Sequence, residues 1–271
     1  MTATAPPERP RADCAFTLAA CRDQPYVPRH LGLTRMPSRR LRAAARAALS
    51  FPEPESWLDV GTGYARFPEV AKELFPYTAF DGLDPTYRVL HARVAERVEE
   101  AHVGNLTDAR ITARLRARYD IVSMLRHLEH TRDPREELRA ALTVLRPGGL
   151  LILELPDPRC VFALLLGRWW TPHSRPGHLH LLPLDTLRRE LEAQGCTILS
   201  TDRRTPHIPY DLAATTSRAL AFVLPSLLSR ACAPLVAVAW VLDHILAPVL
   251  RHTGFSNTYR VIARKEPTAR A

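Results

Sequence analysis

The chain has 271 residues, 46% of them hydrophobic, a length that buries one large core rather than two independent ones. Its formal charge of +9 comes almost wholly from arginine, since Lys72 and Lys265 are the only lysines. Those arginines are scattered among acids, which argues against the clustered basic stripe of a nucleic-acid-binding protein.

The opening MTATAPPERPRADC lacks the charged-then-apolar order of a signal peptide and reads as a disordered polar leader. The expected location is the cytoplasm, with a membrane-peripheral position as the alternative. Ser38 to Leu49 reads as a helix ahead of the sheet. The densest basic run, Arg35, Arg39, Arg40, Arg42 and Arg46, is expected to be a solvated helical face. From Ser56 onward, short apolar runs alternate with helical segments, the pattern of a parallel sheet covered by helices. The predicted strands are Trp57 to Val60, Ala79 to Leu83, Ala101 to Val103, Asp120 to Met124 and Leu150 to Leu155. The predicted crossover helices are Pro68 to Phe75, Tyr87 to Val98, Ile111 to Arg118 and Pro134 to Leu145. Two later strands, Cys196 to Thr201 and Tyr259 to Arg264, are separated by a long insertion, so the alternation stops after the fifth strand. Cysteines at 14, 21, 160, 196 and 232 form no CxxC pair and lie away from any histidine pair at zinc-finger spacing.

The stretch Ser56-Trp57-Leu58-Asp59-Val60-Gly61-Thr62-Gly63-Tyr64-Ala65-Arg66-Phe67 is the first strand running into its turn and helix. Gly61 and Gly63 let the backbone turn tightly and approach a ligand at the carboxyl end of the sheet, where open α/β folds bind small molecules. A nicotinamide fingerprint would place a third glycine at Arg66, where a bulky cation does not fit. Asp59 at the strand tip would repel a pyrophosphate and accept from a cationic amino group, so the ligand should carry a positive end. About twenty residues on, Asp84 stands where an acid can take both hydroxyls of a ribose.

Amine, ribose and base together describe an aminoacyl nucleoside. WLDVGTGYA, FDGLDP, YDIVSMLRHLEHTRDP and VLRPGGLLILELPDP, in this order, resemble the class I S-adenosylmethionine-dependent methyltransferases. The branch they are similar to holds the ubiquinone O-methyltransferases and many small-molecule methyltransferases. The resemblance runs from about Trp57 to Thr201 and resumes at Tyr259. It implies an α/β, Rossmann-like, seven-stranded and mostly parallel sheet with helices on both faces. The leader and an N-terminal cap helix would occupy 1–55, the cofactor-binding core 56–203, an apolar helical insertion 204–255, and the last strand and tail 256–271.

The implied cofactor is S-adenosylmethionine, held by Asp59, Gly61, Gly63, Asp84, Pro85, Asn105, Leu106, Met124 and Leu125. Ala65 replaces the last glycine of the family's pattern, and Asn105 stands where the family has an acid that holds the adenine amino group. After the fourth strand, Glu129 and His130 are expected to handle the acceptor's proton, since imidazole titrates near neutral pH and a carboxylate supports its charged form. A purely positioning role for the pair is the alternative. His127, His178 and His180 are expected at the wall and rim of the acceptor pocket, with His173 nearby. No metal is expected, because a third convergent ligand cannot be placed from sequence.

Ala219 to Leu228 and Ala231 to Leu250 are almost wholly apolar, broken by Pro225, Arg230, Pro234, Asp243 and Pro248. Three readings compete: a lid over the acceptor pocket, an interfacial membrane helix, and a span. The lid is the working expectation, with contact to a membrane surface through 219–250 as its rival. A span would force the last strand back from beyond the bilayer, which one soluble sheet forbids. The function expected is methyl transfer to a small, apolar or lipid-like acceptor, most often at oxygen. A non-catalytic binding or membrane-docking protein on the same fold is the alternative.

Overall fold

A computed structural model describes residues 38–174, 177–224 and 232–267. The leader, Arg35, Pro225 and Arg230 lie outside the described residues. Seven strands form one sheet in the order β3-β2-β1-β4-β5-β7-β6. They are β1 (Ser56–Val60), β2 (Ala79–Asp84), β3 (Ala101–Val103), β4 (Tyr119–Leu125), β5 (Leu145–Pro156), β6 (Cys196–Asp202) and β7 (Thr258–Lys265). The first five pair in parallel, and β7 runs antiparallel to both β5 and β6. All seven expected strands are present, with ends shifted by a few residues.

Helices cover both faces because successive residues of each buried strand point to opposite sides. On one side, Trp57, Ile121, Ile152 and Ile262 meet α1 (Ser38–Arg46) and α2 (Arg66–Ala71) through Leu41, Ala45, Phe67 and Val70. Trp57 is enclosed by the rings of Phe67, Phe75 and Phe80, with centroids 5.4 to 5.5 Å away. On the other side, Leu58, Val122, Leu151, Leu153 and Val261 pack with residues of later helices.

Those later helices follow in chain order. They are α3 (Arg88–Val94), α4 (Ala109–Arg114), α5 (Pro134–Val144), α6 (Val161–Leu166), α7 (Leu184–Ala193), α8 (Asp211–Val223) and α9 (Ala233–Leu250). Leu138 and Ala141 of α5 and Leu187 and Leu191 of α7 fill the second face. α5 begins at Asp133, whose carboxylate accepts from the amides of Arg135 (2.8 Å) and Glu136 (3.2 Å), with Pro134 in the first turn.

One expectation is corrected by this packing. The basic run on α1 is not wholly a solvated face: Arg40 is buried and ion-paired to Glu154 of β5, although Arg42 pairs with Glu73 at the surface. The insertion turns much of its apolar surface outward. Among the described residues of α9, Val236 and Asp243 are the buried ones, while Leu235, Val238, Leu242 and Ile245 are exposed.

Candidate active site

The carboxyl ends of β1 and β2 are joined by a glycine loop. Gly61 and Gly63 adopt left-handed conformations, with φ of 73° and 55°. The Gly61 amide donates to the Leu83 carbonyl (2.8 Å), which holds the loop on β2. A side chain on Gly61 would collide with the His127 imidazole, whereas one on Gly63 would meet nothing within 4 Å. The first glycine therefore admits a neighbour and the second leaves space open. Ala65, at the position of the missing third glycine, is also left-handed (φ 51°) and fully buried. A non-glycine residue in that conformation costs about 1 to 2 kcal/mol.

Asp84 ends β2 with a carboxylate fixed on both oxygens. Oδ2 accepts from the Gly63 amide (2.8 Å), and Oδ1 accepts from the Thr86 amide (2.9 Å) and hydroxyl (2.5 Å). Thr86 was not foreseen, although Asp-Pro-Thr after a strand has the spacing of an Asx turn. Beneath the loop, Ser123 Oγ donates to Asp59 Oδ1 (2.6 Å) and receives the Trp57 indole N–H (2.9 Å). Burial pushes Asp59 up to about 6, against the opposing effects of the Ser123 hydrogen bond and the nearby His127. Pro85 and Asn105 are exposed at the same rim, and Leu125 is half-buried. Leu106 and Met124 belong to the apolar core with Leu83 and Val122, so they support the rim from below. His127, expected at the acceptor wall, stands instead against Gly61, with Nε2 3.1 Å from Glu137 Oε1.

Beyond β4 the backbone turns through left-handed Arg126 (φ 63°) into a short 3-10 turn, Leu128–His130. Glu129 is fully buried and His130 exposed, so the two side chains differ in their access to solvent although they adjoin. Arg126 Nε lies 2.9 Å from Glu129 Oε1 as an ion pair without an aligned N–H, and neither Glu129 oxygen has a hydrogen-bond partner among the described residues. The Glu129 carbonyl accepts from the amides of Leu179 (2.8 Å) and His180 (3.3 Å), which brings the histidine segment to the turn.

His130 Nδ1 is 2.6 Å from the Gly177 carbonyl, and His178 Nδ1 is 3.0 Å from that of Pro172. A carbonyl only accepts, so both Nδ1 atoms carry the proton and each neutral ring keeps its lone pair on Nε2. The two rings meet edge to face at 4.8 Å. His180 donates from Nε2 to the Arg132 carbonyl (2.8 Å) and so clasps the loop, while His173 bonds the Gly167 carbonyl (2.9 Å). Ligand atoms of Glu129, His130 and His178 lie within 4.8 Å of one another, a group with the donor chemistry for a divalent cation. His178 and His180 were the pair expected from sequence; the group instead joins His178 to Glu129 and His130 and leaves His180 out.

Behind this turn lies an ionic cluster that sequence reasoning missed. Glu154 on β5 faces Arg260 on β7 in register. Arg260 donates to Glu154 Oε2 from Nε (3.2 Å) and Nη2 (2.7 Å), and Arg40 reaches Oε1 from α1. Burial alone would raise the Glu154 carboxyl, and the two guanidinium groups overcome it, leaving its pKa below the ordinary value. One signal was available: single charges interrupting the apolar strands LLILELP and TYRVIA.

The family model of a methyltransferase domain matches residues 32–201. The chain belongs to that family, the class I S-adenosylmethionine-dependent methyltransferases. It is 30% identical over 146 residues to a ubiquinone biosynthesis O-methyltransferase of Caulobacter sp., a match covering 51% of this chain and 57% of the relative. The chain spans between 48% and 62% of the lengths of the curated relatives it matches. In fold it is similar to a chain of the Haloferax volcanii complex between the Trm112 methyltransferase activator and a methyltransferase. That likeness has a TM-score of 0.59 at 17% identity, over 93% of this chain and 97% of the other. It is also similar to a SAM-dependent methyltransferase from Archaeoglobus fulgidus, with a TM-score of 0.54 at 16% identity, over 93% and 100%. The cofactor of this family is S-adenosylmethionine. The methyltransferase loop suits it, since Gly63 leaves open space beside the fixed Asp84 carboxylate.

Proposed function

We propose that this chain methylates a hydroxyl oxygen on a small, apolar or lipid-like acceptor. S-adenosylmethionine, when bound, supplies a methyl group activated by a sulfonium charge. Asp84 would hold the ribose hydroxyls, Gly61 and Gly63 would admit the ligand to the backbone, and Asp59 would favour its cationic amino end. Asn105, Pro85 and Leu125 would border the base. The names of the curated relatives support oxygen as the methylated atom, at identities of 26% to 30%.

The observation that carries the reading is the hydrogen bond from His130 Nδ1 to the Gly177 carbonyl, which leaves Nε2 as the proton acceptor on the turn after β4. His130 would take the hydroxyl proton as the oxygen gains its methyl group. The buried Glu129, with Arg126 beside it, would modulate the imidazolium that results. Positioning of His130 thus falls to a backbone carbonyl, and Glu129 acts by its charge.

His130→Ala should lower turnover on an alkylated phenol or catechol by about a hundredfold or more, since a general base is typically worth 10² to 10⁴ in rate. Affinity for S-adenosylhomocysteine, measured by calorimetry, should stay within about twofold, and the low-pH limb of turnover should vanish. A modest loss with the limb unchanged would leave alignment as the source of catalysis.

A further inference from the structure

We infer that the outward face of α9 docks on an anionic lipid surface. Successive helical residues are turned by about 100°, so Leu235, Val238, Val241, Leu242, Ile245 and Val249 fall within an arc of about 120°. Each is between 44% and 65% exposed. Val236 and Asp243, the buried residues of α9, lie on the opposite side. A surface helix of a water-soluble domain normally turns its polar face outward. Here the outward arc contains no polar side chain among those six positions.

The apolar surface does not stop at α9. Packed along it, α8 ends in Phe222 and Val223, which are 72% and 73% exposed. Phe222 meets Trp169 edge to face at 5.3 Å, and the Arg168 guanidinium lies 5.0 Å over the Trp169 ring. An indole, an exposed phenylalanine and an arginine at one border are the composition of a membrane interface.

Charge selects the kind of lipid. The acids of segment 204–255 are Asp211 and Asp243, and both are buried. The exposed formal charges on the described part of that segment are therefore cationic, from Arg204 and Arg251. Anionic headgroups would be attracted to them, and no exposed carboxylate of the segment would oppose the attraction.

The same acids settle how the helix lies. Asp243 accepts from the amides of Leu212 (3.1 Å) and Ala213 (2.9 Å), which fastens the middle of α9 to the first turn of α8. Asp211 in turn accepts from the Trp170 indole (2.7 Å) and from the Asn257 amide, and Asn257 leads into β7. A helix of 18 residues, about 27 Å long, is thereby held against the domain along its inner side. It lies on the bilayer rather than crossing it.

Flotation of the full chain with vesicles tests this. Vesicles of mixed phosphatidylglycerol and phosphatidylcholine should carry the protein upward at least tenfold more than phosphatidylcholine alone, and added salt should weaken the effect. V238E combined with I245E should abolish flotation by tenfold or more, with the melting temperature and S-adenosylhomocysteine affinity unchanged, because both side chains are exposed and outside the glycine loop. Failure to float with anionic vesicles, equal flotation on neutral ones, or an unaltered double variant would overturn the inference. A wild-type dimer in solution that V238E/I245E converts to monomer would also overturn it, assigning the face to a second copy. None of these outcomes bears on methyl transfer, which rests on the glycine loop and on the turn after β4, neither of which contains Val238 or Ile245.

Discussion

The carboxyl rim of the sheet and the α8–α9 insertion both invert the ordinary distribution of residues, in opposite ways. The rim buries charge: Asp59, Glu129, Glu154, Arg260 and Arg40 are all at most 8% exposed. The insertion does the reverse and exposes a continuous apolar surface. At the rim, most of these charges meet partners within the protein, as Glu154 does with two arginines and Asp59 with Ser123. The exposed apolar side chains on the outer arc of α9 offer no group that such a partner could satisfy. Buried charge here organises a site from within, and exposed apolar surface calls for something from outside.

The sharpest way to break that contrast is to remove the centre of the ionic cluster. Glu154→Ala should lower the unfolding free energy by about 3 to 5 kcal/mol, because Arg40 would stay buried without its counter-charge and Arg260 would keep only the more distant Asp202, at 3.9 Å. Chemical denaturation would measure it, and a loss below about 1 kcal/mol would mean that the cluster is solvated in solution.

Asp59 gives the next largest effect, and its sign is unusual for a carboxylate. With the folded value raised to about 6, the neutral acid is favoured in the fold. Its stabilising contribution is fully present below the unfolded value near 4 and is lost as pH rises through about 6, by on the order of 3 kcal/mol. Cofactor affinity should move the other way, because only the carboxylate attracts a cationic amino end. Between pH 6 and 4 the wild type should therefore gain stability relative to Asp59→Asn while losing affinity for S-adenosylhomocysteine. Parallel pH profiles for the two proteins would remove Asp59 from both roles.

The smallest expected effect is on the other side of the comparison. Ile245→Ala should change the unfolding free energy by no more than about 0.5 kcal/mol, because the side chain is already 65% exposed. A cost of about 2 kcal/mol or more, the size expected of a core position, would show that α9 is covered in solution.

The regular part of the fold was legible because its signal is local. Alternation of apolar strands with helical segments marked the first five strands, apolar runs marked the last two, and Gly61, Gly63 and Asp84 lay at spacings that place them at one rim. What was not legible depends on contacts between distant segments. His127 reaches Gly61 only because Arg126 takes a left-handed turn, and an arginine gives no local sign of that conformation. Arg40 reads as one more cation on a basic helix until Glu154 is found in front of it, more than a hundred residues on. Leu106 and Met124 were correctly near the rim and yet lie in the core, since position along a strand does not reveal depth. The composition of α9 announced its apolarity but not the direction it faces, which the side chain of Asp243 decides.

The central claim is that the tips of β1 and β2 form the S-adenosylmethionine site around Asp84. Isothermal titration of S-adenosylhomocysteine into the wild type and Asp84→Ala tests it most directly, with the melting temperature of each protein as a check on folding. Loss of a contact to two ribose hydroxyls should remove roughly 1.5 to 3 kcal/mol, a fall in affinity of about tenfold or more. Equal affinities in two folded proteins would contradict the account.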